Sequence, residues 1–133
     1  MTEIAERPAR TSALTARQLT SVRTHLAADR EQTIRLIDSV TLEMDAFVSA
    51  RRDTATDDEH DPEGPTLAFE RSQSEAVLGQ SVRHLNDIDA ALLRIDEGTF
   101  GACKTCGGAI ALGRLQARPQ ATQCIRCAER NRF

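Results

Sequence analysis

Residues 103–127 read CKTCGGAIALGRLQARPQATQCIRC, and this stretch decides the fold of the C-terminal part of the chain. It holds two Cys-x2-Cys pairs separated by seventeen residues, and Gly107 and Gly108 follow the first pair. Zinc prefers four ligands in a tetrahedron, and thiolates suit its borderline-soft character. Two residues between cysteines let one tight turn present both sulfurs to one ion, with glycines where the backbone must bend. The spacing therefore predicts one structural zinc ion bound by Cys103, Cys106, Cys124 and Cys127.

The four cysteines also allow other chemistries, namely two disulfides, a redox Cys-x2-Cys pair or an iron site. We favour zinc, and four thiolate ligands leave no open coordination position for a catalytic water. The three histidines, His25, His60 and His84, are too scattered to build a second metal site. No nucleophile–base pairing or phosphate-binding loop is visible, so we predict that the protein is not an enzyme.

A helix is predicted immediately before the cysteines, from about Thr66 to Glu97. Gly98 follows as a glycine that caps the helix C-terminus. The apolar positions of this helix are spaced by sevens, threes and fours, as in the seam of a coiled coil. They are Leu78, Leu85, Ile88, Leu92 and Ile95.

A second long helix is predicted over residues 15–52, which contain no Gly and no Pro, with Thr15 as its N-cap. Its apolar residues recur mostly in steps of three and four, the helical period. The seam is Leu19, Val22, Leu26, Leu36, Val40 and Phe47, widened by Ile37, Met44 and Val48. Asp29 and Thr33 interrupt the seam, which predicts a weak patch in the coiled coil.

The two helices are separated by an acidic turn near residues 53–66, where Pro62, Gly64 and Pro65 break the helical pattern. Two helices of similar length around a short turn should fold back on each other, with arms roughly 45–55 Å long. We therefore predict a mainly α fold: a long antiparallel two-helix coiled-coil hairpin over residues 15–97. A small four-cysteine zinc finger with a short C-terminal helix, residues 98–133, should hold its open end.

Composition and charge limit the kinds of partner. The chain has four Phe and no Trp or Tyr, which is poor material for stacking on bases, and no run of apolar residues long enough to span a membrane. Residues 1–14 have no apolar segment like that of a signal peptide, so we expect a disordered arm and a cytoplasmic protein. Residues 98–133 carry six basic side chains against Glu129 alone: Lys104, Arg114, Arg118, Arg126, Arg130 and Arg132.

The sequence resembles the DksA/TraR family of zinc-finger proteins over residues 92–127, LLRIDEGTFGACKTCGGAIALGRLQARPQATQCIRC. The resemblance is carried by the Gly98-Thr99-Phe100-Gly101 lead-in, both cysteine pairs and the seventeen-residue gap, and by further matching positions. These are Ile110, Arg114, Leu115, Ala117, Arg118 and Pro119. Lys104 departs from the family, in which many members have an acid or Ser there.

This resemblance implies a mode of action. DksA-like proteins bind bacterial RNA polymerase and insert an acidic coiled-coil tip through the secondary channel, often together with the alarmone ppGpp. Where the best-studied members carry Asp-x-x-Asp-x-Ala at the tip, this chain has Asp58, Asp61 and then Glu63. The resemblance therefore implies a partner-binding tip formed by Asp57, Asp58, Asp61 and Glu63, with RNA polymerase as the partner and ppGpp as a candidate ligand.

We accordingly predict a zinc-binding transcription regulator that acts on RNA polymerase by protein contact. The alternative is a DNA-binding protein whose basic finger neutralises phosphates. The bound tetrathiolate contributes about two negative charges against that role, so we do not expect direct DNA binding. Arg114 and Arg118 are either partner contacts or structural braces, and for Arg114 we favour a brace against the base of the hairpin.

Overall fold

The structure, a computed structural model, describes residues 14–54 and 64–131, and for residues 50–54 it describes the backbone alone. The fold is helical, with two long helices packed as a hairpin and two short helices after them. These are α1 (Ala16–Thr54), α2 (Gly64–Glu97), α3 (Leu112–Ala117) and α4 (Ile125–Arg130). The predicted tip acids and residues 1–13 of the predicted arm lie outside the described residues.

Helix α1 begins where a reciprocal capping arrangement satisfies its first backbone donors. The Gln18 amide donates to Oγ1 of Thr15 at 3.1 Å, and the Thr15 amide donates to Oε1 of Gln18 at 2.9 Å. Thr15 is therefore the N-cap, as predicted. Leu14, which the sequence placed in a disordered arm, is instead 7% exposed and belongs to the hydrophobic core.

Helix α2 begins at Gly64, two residues earlier than predicted, so Pro65 lies in its first turn rather than in the preceding loop. Proline is tolerated there because the first-turn amides have no partner within the helix. The C-terminus matches the prediction, since Gly98 has φ 79° and its amide donates to Ile95 O at 3.2 Å. The Thr99 amide reaches back to Arg94 O at 2.9 Å, which completes the hydrogen-bond pair of a Schellman motif.

The chain divides into two compact units, which are described separately. Among the described residues, the zinc unit comprises residues 14–30 and 87–131. Within it, ion pairs join Arg23 to Asp96 at 2.9 Å and Arg30 to Asp89 at 2.6 Å, so α1 and α2 run antiparallel there. Its core combines helix and finger residues: Leu14, Val22, Leu26, Ile88, Ala91, Phe100, Cys103, Ile110, Leu115 and Cys127.

Among the described residues, the two-helix unit comprises residues 31–54 and 64–86. Among its described side chains only Val40, Thr33 and Ser81 are buried, so it has little apolar interior. Oγ of Ser74 donates to Oε1 of Glu43 at 3.5 Å, again between antiparallel segments of α1 and α2.

The predicted seam of α1 needs a correction within the two-helix unit. Leu36 is 46% exposed and Val48 is also exposed, whereas Thr33, expected to interrupt the seam, is buried within it. A step of four from Thr33 to Ile37 keeps the buried stripe on one face of the helix, and this register turns Leu36 toward solvent.

No helix in the described parts of the chain is both long and apolar enough to cross a bilayer.

Candidate metal centre

The first cysteine pair lies on a tight turn held by backbone hydrogen bonds. Ala102 and Ala109 form an antiparallel bridge, and inside it the Cys103 amide donates to Gly108 O at 2.8 Å. The Gly107 amide donates back to Cys103 O at 2.9 Å, and Gly107 has φ 76°, a conformation that a side chain disfavours. The glycine predicted to let the backbone bend is therefore required at this position.

The second cysteine pair is presented by the start of α4. Cys124 is the residue before the helix, and Cys127 lies one turn along it, so both sulfurs leave the same side of the backbone. The Lys104 amide donates to Thr122 O at 2.9 Å and ties the first turn to the segment that leads into α4. The two pairs are thus held together by backbone as well as by any shared metal.

All four sulfur atoms lie within 4.8 Å of one another, and the Sγ atoms of Cys106 and Cys124 are 3.9 Å apart. Zinc–sulfur bonds of 2.3 Å in a tetrahedron place the sulfurs about 3.8 Å apart, so the cluster fits one zinc ion. The amide of Gly108 also donates to Sγ of Cys106 at 3.4 Å, a contact that stabilises a thiolate. These four cysteines form the site of one structural zinc ion.

Burial divides the four ligands into two kinds. Cys103 and Cys127 are 2% and 4% exposed and belong to the hydrophobic core, whereas Cys106 is exposed and Cys124 is half-buried. The site therefore joins the core of the zinc unit to its surface. Since all four ligands come from the protein, a tetrahedral ion has no position left for a substrate.

The electrostatics of the metal-free site differ between the two buried thiols. Burial alone would raise the pKa of Cys103, but hydrogen bonds from the backbone of Cys106, Cys124 and Thr105 lower it to about 6. Burial raises the pKa of Cys127 to about 12, and the neighbouring sulfurs add to that effect. Hydrogen bonds to the sulfur therefore favour the thiolate of Cys103, whereas burial disfavours the thiolate of Cys127.

A hydrogen-bond network behind the sulfurs did not follow from the sequence. The Arg114 Nε donates to Gln123 O at 2.9 Å, and the Gln123 side chain donates from Nε2 to Oγ1 of Thr105 at 2.8 Å. Arg114 thus fastens α3 to the residue before Cys124, a brace within the finger, and its predicted contact with the base of the hairpin stays a prediction. Glutamine and threonine are common surface residues, and only the fold brings them next to each other.

The remaining predicted contact residue, Arg118, is exposed at the C-terminal end of α3. The predicted tip residues, Asp57, Asp58, Asp61 and Glu63, lie outside the described part of the chain, so their role stays a prediction. The structure therefore brings together the zinc ligands and Arg114, and it leaves Arg118 on the surface.

Comparison with known families identifies the finger. Residues 98–132 match the prokaryotic dksA/traR C4-type zinc finger. The RNA polymerase-binding transcription factor DksA of Caulobacter vibrioides is 43% identical over 47 residues, which are 35% of this chain and 33% of that protein. YteA of Bacillus subtilis is 37% identical over 65 residues, 49% of this chain and 27% of that protein. The matched segments thus span a third or less of these relatives' length.

A solved structure extends the similarity beyond the finger. Transcription factor DksA2 from Pseudomonas aeruginosa superposes with a TM-score of 0.71 and covers 98% of this chain and 94% of its own, at 26% sequence identity. The similarity in fold therefore extends along nearly the whole chain.

Proposed function

Starting from a chain of the DksA/TraR family, we propose that this protein is a transcription regulator that binds bacterial RNA polymerase. The observation that supports the proposal most strongly is the combination of the four-sulfur zinc site with a DksA2-like fold along nearly the whole chain. A relative that matches 35% of this chain is named for binding RNA polymerase. A partner shared with such proteins is the simplest explanation for a chain that has both the zinc site and the DksA2-like fold.

The finer proposal is that the acidic segment between α1 and α2 enters the secondary channel of the polymerase while the finger docks on the channel rim. Six acids and no Lys or Arg occur in residues 53–63. A cluster of carboxylates is attracted to positively charged channels, and carboxylates can also bind or compete for metal ions near a catalytic centre. Asp57, Asp58, Asp61 and Glu63 would act there.

The experiment is a pull-down of zinc-loaded protein with polymerase core, in competition with a factor known to occupy the secondary channel. A version lacking residues 54–65 is tested in parallel. The proposal predicts that the full chain binds polymerase and is displaced by the competing factor. The variant that lacks residues 54–65 should compete much less with that factor. Binding that the competitor leaves unchanged would contradict channel insertion, and no binding at low salt would contradict the polymerase as partner.

The alternative function, DNA binding by the basic finger, has one observation in its favour, since Arg118, Arg126 and Arg130 are exposed on the finger. Phosphate contacts of this kind give an affinity that falls steeply with salt. A mobility-shift assay with random duplex at moderate salt separates the two ideas. A shift with duplex but no capture of polymerase would favour the alternative.

Binding of the candidate ligand ppGpp is tested by equilibrium dialysis against the same protein preparation, with and without polymerase.

A further inference from the structure

A groove lies on the finger between α3 and α4, next to the zinc site. Its volume is about 710 Å³, and three of the four cysteines are among its lining residues. The four sulfurs lie within 4.8 Å of one another, so a single zinc ion fills only a small part of this space. Most of the groove is therefore free to hold something other than the metal.

Part of the lining of the groove is apolar, and we call these residues the floor. They are Ala109, Ala111, Ala117 and Ile125, and Ile125 has 54% of its surface exposed. More than half of this large aliphatic side chain thus faces water at the first position of a short helix. The floor therefore offers a place for an aliphatic group of another molecule.

Another part of the lining is positively charged, and we call these residues the rim. They are Arg118, Arg126 and Arg130, which are exposed, and none of them forms an ion pair with another described residue. Arg114, which also lines the groove, uses its Nε to bind Gln123 O. Within the described chain, no Asp or Glu lines the groove. The lining thus combines several guanidinium groups with an apolar floor, a pattern suited to a ligand that is both acidic and aliphatic.

We propose that this groove binds an acidic amphipathic helical segment of a protein partner. Carboxylates of the segment pair with Arg118, Arg126 and Arg130, and an aliphatic side chain packs on Ile125. A nucleic acid fits less well because its phosphates would gain nothing from the apolar floor. The inference deepens the proposed function by naming the kind of polymerase segment that the finger would meet, and it rests on that function only for the identity of the partner.

The first test uses a defined probe and does not involve polymerase. The probe is a fluorescein-labelled synthetic helix of Glu and Leu with the leucines spaced by three and four, and its binding to the zinc-loaded full chain is followed by anisotropy. Reversal of two rim charges, Arg126→Glu with Arg130→Glu, should weaken binding at least about tenfold. The control carries the same charge change away from the groove, Arg17→Glu with Arg83→Glu, and should bind within about twofold of the unaltered chain.

The apolar part of the groove is tested by a second matched pair. Ile125→Asp should weaken binding of the probe by about tenfold, whereas Leu93→Asp should leave it unchanged. Ile125 and Leu93 are 54% and 55% exposed, so the two variants add one charge at positions of equal exposure. Zinc content and thermal melting are measured for every variant, so that loss of binding is scored only in proteins that keep their metal.

The outcomes separate the groove from the proposed function. Equal binding of the acidic probe to the groove variants and their controls, or no binding to the unaltered chain, would overturn the inference. Stronger groove-dependent binding of a 20-base-pair duplex than of the acidic probe would replace the acidic segment with a nucleic acid. If the probe results hold but the full chain fails to capture polymerase, the proposed function fails and the groove stands. If polymerase is captured equally by Arg126→Glu/Arg130→Glu and by its control, the groove is not the polymerase contact.

Discussion

The zinc unit and the two-helix unit share α1 and α2 but differ in what fills their interiors. The zinc unit packs a contiguous core of helix and finger residues, including two of the metal ligands. In the two-helix unit, the buried side chains that the structure describes are Val40 and the polar pair Thr33 and Ser81. A segment with few buried apolar contacts opens locally at lower free energy than a well-packed one. Most of the stability therefore comes from the zinc unit.

Removal of one metal ligand should have the largest effect. Cys103→Ser leaves three thiolates and a core position filled by a polar group, and structural zinc binding in small fingers is worth about 10–16 kcal/mol of folding free energy. We expect loss of stoichiometric zinc and of the cooperative melting transition of the zinc unit. Zinc analysis and thermal melting check this.

The control for that variant is Lys104→Ser, which changes an exposed neighbour that is not a ligand. It should keep one zinc ion and melt normally. A Cys103→Ser protein with full zinc and unchanged melting would show that the metal does not hold the zinc unit together.

Acidification should release zinc, because protons compete with the metal ion for the four thiolates. The pKa of Cys103 is lowered to about 6 in the folded chain, from about 8.5 for a cysteine in an unfolded chain. Its thiolate therefore contributes to stability fully above the unfolded-chain pKa, and this contribution is lost as the pH falls through the folded-chain pKa. The pKa of Cys127 is raised to about 12, and its contribution in the metal-free chain changes at alkaline pH instead. A chromophoric chelator follows zinc release. Zinc binding that does not weaken at all between neutral and strongly acidic pH would contradict a site made of four thiolates.

Truncation of a leucine to alanine should cost several kcal/mol more unfolding free energy in the zinc unit than in the two-helix unit. Leu26 is fully buried in the zinc unit, so Leu26→Ala should destabilise the protein by about 2–5 kcal/mol. Leu36 in the two-helix unit is 46% exposed, so Leu36→Ala should cost less than about 1 kcal/mol. Urea denaturation of both variants measures the difference. Equal losses would mean that the two units are packed alike.

Substitution of alanine for Gly79 in α2 and for the capping Gly98 should change the free energy of unfolding by small amounts of opposite sign. Gly98 has φ 79°, so Gly98→Ala should cost about 1 kcal/mol although an added Cβ meets no atom within 4 Å. Gly79 lies inside the helix, in the two-helix unit, and its added Cβ meets only the flexible end of Arg83 at 3.4 Å. Gly79→Ala should therefore stabilise by about 0.5–1 kcal/mol. Denaturation midpoints compare them, and a gain in stability for Gly98→Ala would be the contradicting result.

The features that the sequence predicted best are those set by local rules. Thr15 and Gly98 obey capping preferences that depend on a few neighbouring residues, and the Cys-x2-Cys spacing identifies the ligands because zinc requires nearby sulfurs. These features do not depend on how the helices pack against each other. The position of the metal centre therefore follows from the spacing of the cysteines alone.

The features that the sequence missed depend on packing between segments. Leu36 satisfies the helical period but lies beside the buried stripe, because the step after Thr33 is four residues rather than three. Leu14 precedes the N-cap, and only its contact with the core distinguishes it from an arm residue. The link from Arg114 through Gln123 to Thr105 joins positions that have no fixed spacing rule.

In the function proposed above, the finger and the hairpin serve to present carboxylates to RNA polymerase. The most direct measurement is in vitro transcription at saturating protein with Asp58→Lys/Asp61→Lys. Its control is Asp45→Lys/Glu70→Lys, which makes the same charge change at exposed positions of α1 and α2. We predict that the first variant binds polymerase within about twofold of the unaltered chain but loses the effect on transcription, and that the control keeps both. A tip variant that binds and regulates normally would contradict this role of the carboxylates.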